Sequence, residues 1–227
     1  HIGSQIFEPD PFIEAARTMV SFSSICRDTF GWAPSELNLG GGFAVRYIDE
    51  HPHIDIAANV KAVAEAVKTA CADANLTFPA LRLEPGRSII ADAGVTLYTV
   101  GSVKHITGYK SYVSVDGGMP DNPRYALYSS PYTVIVAGRA GEQADFKCTV
   151  AGRCCESGDL IAEDIKIQTC ARGDLLAVCC TGAYNYSMAS NYNRIPRPPI
   201  VMLSPDGDYV AVERESRDDL TRLDNLR

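Results

Sequence analysis

The chain has 227 residues, 46% hydrophobic and 22% charged, a composition that excludes disorder as the dominant state. Its 28 acidic against 21 basic residues give a formal charge of −7, which argues against a nucleic-acid binder. No apolar run approaches the eighteen or so residues that cross a bilayer, so no membrane partner is expected.

In chain order, His1-Ile2-Gly3-Ser4-Gln5 has the character of a strand end turning into a loop. The first residue is His and no signal-peptide pattern follows, so the chain reads as a fragment or a processed product. Asp10-Pro11 predicts a helix start, with the carboxylate as cap. Phe12, Ile13, Ala16, Met19, Val20 and Cys26 follow at helical spacing, and Gly31 closes the segment. A second helix is predicted from Asp55, with Ile56, Val60, Val63, Val67 and Cys71 on one stripe and Asn75 near its end. Between the helices, Glu36–Leu39 runs into Gly40-Gly41-Gly42, and Ala80–Leu83 runs into Glu84-Pro85-Gly86-Arg87.

The three strand ends, at 1, 40 and 84, are 39 and 44 residues apart. A (β/α)8 barrel averages about 30 residues per unit and carries its chemistry on loops at the carboxyl ends of its strands. Residues 1–90 therefore read as barrel units with extended loops, their partners lying before His1, or as another α/β arrangement.

From about Ala91 the helical stripe gives way to β-rich runs. They are Thr96–Val100, Tyr112–Val115, Tyr132–Val136, Lys147–Val150, Leu175–Val178, Ile200–Leu203 and Tyr209–Val212. Asp206-Gly207 is a hairpin turn signal, and Ser216 with Asp219 predicts a short capped helix. Residues 91–227 read as an antiparallel β-barrel or sandwich.

Eight cysteines include two adjacent pairs but no C-x-x-C, so no metal site is expected. They are too sparse for a disulfide scaffold, and reduced thiols in a cytoplasm are the expectation.

Three glycines after a strand can close backbone amides around an anion, or can simply form a flexible turn. A carboxylate such as Glu84 at a strand end can hold a proton on a ring nitrogen, or can belong to a surface turn. Together, however, His1-Ile2-Gly3-Ser4-Gln5, the glycine triplet, Glu84-Pro85-Gly86-Arg87 and a following β domain resemble the fold-type III pyridoxal-phosphate decarboxylases. Within them, three motifs are similar to the diaminopimelate decarboxylases: Asp116-Gly117-Gly118-Met119-Pro120-Asp121-Asn122-Pro123-Arg124, Cys155-Glu156-Ser157-Gly158-Asp159 and Gly182-Ala183-Tyr184. Asn191-Tyr192-Asn193-Arg194 with Arg197-Pro198 is a weaker fourth.

The resemblance implies pyridoxal 5′-phosphate as cofactor and decarboxylation of meso-diaminopimelate to L-lysine and CO2 by the whole protein. His1 would stack on the cofactor ring and Ser4 would lie near its phosphate. Gly40, Gly41, Gly42, Gly86 and Arg87 would cradle that phosphate, Glu84 would pair with the ring nitrogen, and Tyr184 would close over the cofactor. Arg87 and Arg124 would meet the distal carboxylate of the substrate, Glu156 its distal ammonium, with Tyr128 and Tyr184 beside them. Cys155 would deliver a proton within the active site of a neighbouring subunit, which implies a homodimer with shared sites. None of the six lysines has the context of the Schiff-base lysine that the family requires, so the chain alone is expected to be inactive. Tyr125 departs from the family pattern, where proline commonly follows the arginine. The alternatives are a related ornithine- or arginine-type decarboxylase, and a non-catalytic homologue that binds partners.

Overall fold

The computed structural model describes residues 1–225, which fall into two compact units, His1–Asp92 and a second that begins at Ala93. In the first unit, α1 (Asp10–Phe30) begins with Pro9 at the cap position. Asp10 is thus the first helical residue rather than the cap, and its carboxylate makes no capping bond. It still lies where the helix dipole favours negative charge. The helix ends at Gly31, whose φ of 68° lets its N–H reach the Arg27 carbonyl. β1 (Glu36–Asn38) follows, then α2 (Ile56–Asp73), whose cap Asp55 accepts the Ala58 N–H at 2.9 Å. β2 (Ala80–Arg82) and the single-turn α3 (Gly86–Ile90) complete the unit.

β1 and β2 pair in parallel, and the contact continues through Leu39 N–H to Arg82 O and Glu84 N–H to Gly40 O. On the other side, a parallel bridge joins Ile6 to Phe43. Three strand segments therefore run in one direction, connected by two helices, as parallel pairing demands. The helices bury Phe12, Ala16 and Val20 from α1 and Val63, Val67 and Cys71 from α2 against Leu37, Leu39 and Phe43. Phe12 and Phe43 stack at 4.6 Å between centroids.

The second unit is a six-stranded sheet. Its strands are β3 (Val95–His105), β4 (Ser111–Val115), β5 (Val134–Val136), β6 (Phe146–Ala151), β7 (Leu160–Ile167) and β8 (Leu175–Cys179), in the order β5-β8-β3-β4-β6-β7. Four pairings are antiparallel and one, β4 with β6, is parallel. The Val136 N–H donates to Gln168 Oε1 at 3.0 Å, which draws β5 and the end of β7 together and nearly closes a barrel. Val100, Val113, Val150, Ile161, Ile167, Leu176 and Val178 fill its interior.

α4 (Arg124–Tyr128) interrupts the β4–β5 connection. β9 (Ile200–Met202) and β10 (Tyr209–Val212) form a separate hairpin around Asp206-Gly207, and α5 (Arg217–Thr221) starts from a Ser216–Asp219 capping box. β7 is a strand that the sequence reading omitted. Cys154 and Cys155 lie in a loop, and Cys179 and Cys180 are half-buried. Among the described residues, no helix is long and apolar enough to cross a membrane.

Candidate active site

In the first unit the three strand ends meet. Asn38, the last residue of β1, accepts the Gly40 N–H on Oδ1 at 2.8 Å and donates from Nδ2 to Glu84 Oε1 at 2.7 Å. The Gly41 N–H donates to His1 Nδ1 at 3.3 Å, a bond that puts any ring proton of a neutral imidazole on Nε2. A Cβ on Gly41 would sit 2.0 Å from the Glu84 carbonyl oxygen, so the strand ends approach this closely only because a glycine lies between them. His1, Gly40, Gly41 and Glu84 are thereby brought together by direct bonds or backbone contact.

Arg87 is buried and bonded to two hydroxyls. One Nη atom donates to the Tyr47 hydroxyl and the other to Ser4 Oγ at 2.7 Å. Ser4 and Arg87 are thus coupled. The Gly86 N–H donates to the Glu84 carbonyl at 2.8 Å, so three of the amides expected to cradle a phosphate (Gly40, Gly41, Gly86) are engaged inside the protein. The Glu84 side chain faces solvent with one oxygen held by Asn38.

In the second unit the topology gathers three loops. β4 and β6 run parallel, β8 runs the same way because both β8 and β4 are antiparallel to β3, and each loop leaves a carboxyl end. The first loop carries α4, the second runs from 152 to 159, and the third begins at Cys180. Arg124 is 5% exposed at the start of α4, donates to Ser130 Oγ at 3.1 Å, and lies against two rings. Its guanidinium carbon is 5.5 Å from the Tyr128 centroid and 5.7 Å from that of Tyr184. A planar cation between aromatic faces is held in orientation without losing its charge.

Cys155 and Glu156 are both exposed in the second loop. Glu156 Oε2 accepts from the Tyr192 hydroxyl at 3.4 Å, and the Glu156 charge pushes the Tyr192 phenol up. The loops are tied to one another as well: the Ser190 N–H donates to Pro120 O, and the Arg153 N–H to Gly117 O.

Sequence reasoning missed Asn38 and Tyr47, whose partners lie 46 and 40 positions away. It also missed the buried pair in which the Tyr98 hydroxyl donates to Asp121 Oδ2. Burial raises the Asp121 carboxyl and, with the Asp121 charge, lifts the Tyr98 phenol well above its ordinary value. Tyr125, the departure from the family pattern, donates to Glu163 Oε2 at 2.8 Å and so anchors α4 to β7.

Parallel strand ends that bear glycines and a carboxylate, followed by a near-closed β-sheet unit, suit a two-part α/β and β enzyme, and comparison with known proteins gives the family. Residues 20–182 match the family described as pyridoxal-dependent decarboxylase, C-terminal sheet domain, and the chain belongs to that family. Diaminopimelate decarboxylase of Bacillus subtilis (strain 168) is 46% identical over 224 residues, covering 99% of this chain and 51% of that protein. The enzyme of the same name from Halalkalibacterium halodurans is 47% identical over 224 residues, with the same coverage. Among solved structures, diaminopimelate decarboxylase from M. jannaschii in complex with L-lysine superimposes with a TM-score of 0.89 at 32% identity, over 100% of this chain and 51% of that one. The chain spans about half the length of the curated relatives it matches.

Proposed function

We propose that this chain forms part of a homodimeric cytoplasmic diaminopimelate decarboxylase that converts meso-diaminopimelate to L-lysine and CO2. The similarity to enzymes of that name supports the substrate. The observation that carries the reading is the Arg124 guanidinium held between Tyr128 and Tyr184, on the same end of the sheet as an exposed Glu156. A substrate whose far end bears both a carboxylate and an ammonium asks for a cation and an anion, and these residues supply one of each.

Pyridoxal 5′-phosphate fits the first unit at Glu84, whose exposed carboxylate keeps one oxygen fixed by Asn38 and can hold a proton at a ring nitrogen. The bound cofactor supplies a sink for the electron pair left when CO2 departs. His1, kept in register by the Gly41 amide, offers a ring to stack on. Gly40, Gly41 and Gly86 donate internally, so the Ser4 hydroxyl, oriented by Arg87, and the Gly42 and Arg87 backbone would hold the phosphate if bound. With both Nη atoms of Arg87 so engaged, Arg124 is the guanidinium that meets the distal carboxylate. By the family resemblance, Tyr184 would help to hold the cofactor, and Cys155 would deliver, in the active site of the neighbouring subunit, the proton that replaces CO2.

The test is CO2 release by the full-length protein from meso-diaminopimelate, L-ornithine and L-arginine, for wild type and Arg124→Lys. Wild type is expected to prefer diaminopimelate. Lysine lacks the planar fork, and its substitution should lower kcat/KM for diaminopimelate by about tenfold or more. Equal or better turnover of ornithine or arginine would overturn the assignment.

A further inference from the structure

We propose that Asp159 is a positioning residue that selects which of two adjacent thiols is presented: it clamps the backbone at Cys154 inward and leaves Cys155 outward. The functional meaning rests on the reading of Cys155 as a proton donor; the geometry does not.

Asp159 is 3% exposed, and no salt bridge reaches it among the described residues. Two amides do. Oδ1 accepts the Met119 N–H and Oδ2 accepts the Cys154 N–H, each at 2.6 Å. One buried carboxylate therefore joins the loop that leads to α4 with the loop that carries the cysteines. Its own backbone closes the second loop, since the Gly152 N–H donates to Asp159 O at 2.8 Å and the Asp159 N–H to Glu156 O at 3.2 Å. A Cβ on Gly118 would lie 2.4 Å from Oδ1, and one on Gly152 would lie 2.3 Å from Oδ2. Glycine at both places is what lets the carboxylate enter between the loops.

The clamp acts chemically as well as sterically. Burial, then the charge and hydrogen bonding of Asp159, push the Cys154 thiol up to about 11; Asp121 adds to this and Arg153 opposes it. The Tyr192 phenol, facing the same loop, also feels both thiols. A carboxylate beside a thiol disfavours the thiolate, so Cys154 stays protonated and unreactive. Cys155 lies beyond the clamp and is exposed. The charge is essential to the design, because two amides need two acceptor oxygens. An asparagine would offer one oxygen and turn an NH2 group toward the other donor.

Iodoacetamide labelling of the protein from pH 7 to 11, with peptide mapping, tests this on wild type, Asp159→Asn and Asp159→Ala. In wild type at pH 8, Cys154 should label about a hundredfold more slowly than an ordinary free thiol, with Cys155 labelled first. In Asp159→Asn, Cys154 should label about tenfold faster and its pH profile should move down, while desolvation keeps it above the ordinary value. Asp159→Ala should erase the preference between the two thiols. Cys148 and Cys170, both buried, should stay unlabelled where the fold is intact. If a variant exposes them, the wild-type order alone decides. Labelling of Cys154 as fast as Cys155 in wild type, or an unchanged Cys154 profile in a folded Asp159→Asn, overturns the proposal. Labelling needs neither cofactor nor substrate. If Cys155→Ala leaves decarboxylation intact while the labelling order holds, the functional reading fails and the clamp stands.

Discussion

A methyl group at Gly41 would lie 2.0 Å from a backbone oxygen, that of Glu84, and a backbone atom cannot rotate away as a side-chain tip can. The first unit would have to separate its strand ends, which breaks the Gly41–His1 and Asn38–Glu84 hydrogen bonds at once. Overpacking of this kind costs about 1–3 kcal/mol. Gly41→Ala is therefore expected to lower the stability of the unit by that amount in denaturant titration. Gly141→Ala is the control, since nothing lies within 4 Å of the added Cβ and the backbone is not left-handed there. Equal midpoints for the two variants would show that the strand ends do not approach as closely as described. The same reasoning explains why the glycine triplet was only half legible. From the sequence it offered an anion cradle or a flexible turn, and here its close approach to backbone is the firmest requirement.

Between elements, Glu215 joins the end of β10 to the segment before β9. It accepts from Arg197 through the backbone N–H and Nε, each at 2.8 Å, and through Nη2, and from Asn191 Nδ2 at 2.6 Å. The Arg197 side chain, then its backbone N–H, pull the Glu215 carboxyl from 4.5 down to about 2. A depressed carboxyl favours the folded form above its unfolded value, and the advantage fades as pH falls from about 4.5 through about 2. NMR titration should place the Glu215 carboxyl near the lower figure. Glu215→Gln should remove the acid-dependent loosening of residues 191–197. A Glu215 that titrates with the exposed glutamates would refute the link.

The elements themselves divide by how local their causes are. α1, α2, the hairpin turn and the Ser216 cap were readable because stripe, cap and turn residues sit within a few positions of one another. β7 was not. Its apolar alternation is broken by Glu163 and by Asp164, whose φ of 54° accompanies a register shift against β6. Lys110 resolves that charge by donating to both carboxylates, which hold its ammonium well above the ordinary lysine value, but it lies more than 50 positions away. The site shows the same divide. Arg124, Tyr128 and Tyr184, all three singled out in the sequence, lie against one another, whereas Asn38, Tyr98, Asp121 and Asp159 act through distant partners that no spacing announces.

Across the whole molecule, the two units rest on different kinds of sheet, and their resistance to opening should differ accordingly. The first unit holds three short parallel segments, with three-residue β1 and β2, and parallel pairing is normally covered on both faces within larger sheets. Its helix α1 leaves Phe22 and Ile25 more than half exposed, and Phe30 and Trp32 follow at 77% and 61%. The second unit has six strands, ladders on both sides of β8, β3, β4 and β6, and a filled interior. Local opening is easiest where few apolar contacts and few paired backbone groups must be given up. In hydrogen exchange on the 227-residue chain, amides of β4, β6 and β8 should exchange last, and those of β1 and β2 far sooner. Limited proteolysis should cut first within His1–Asp92 and leave a fragment that begins near Ala93. Slower exchange in β1 and β2 than in β4 would show that the parallel segments are the sturdier half, and the division of stability between the units would have to be reversed.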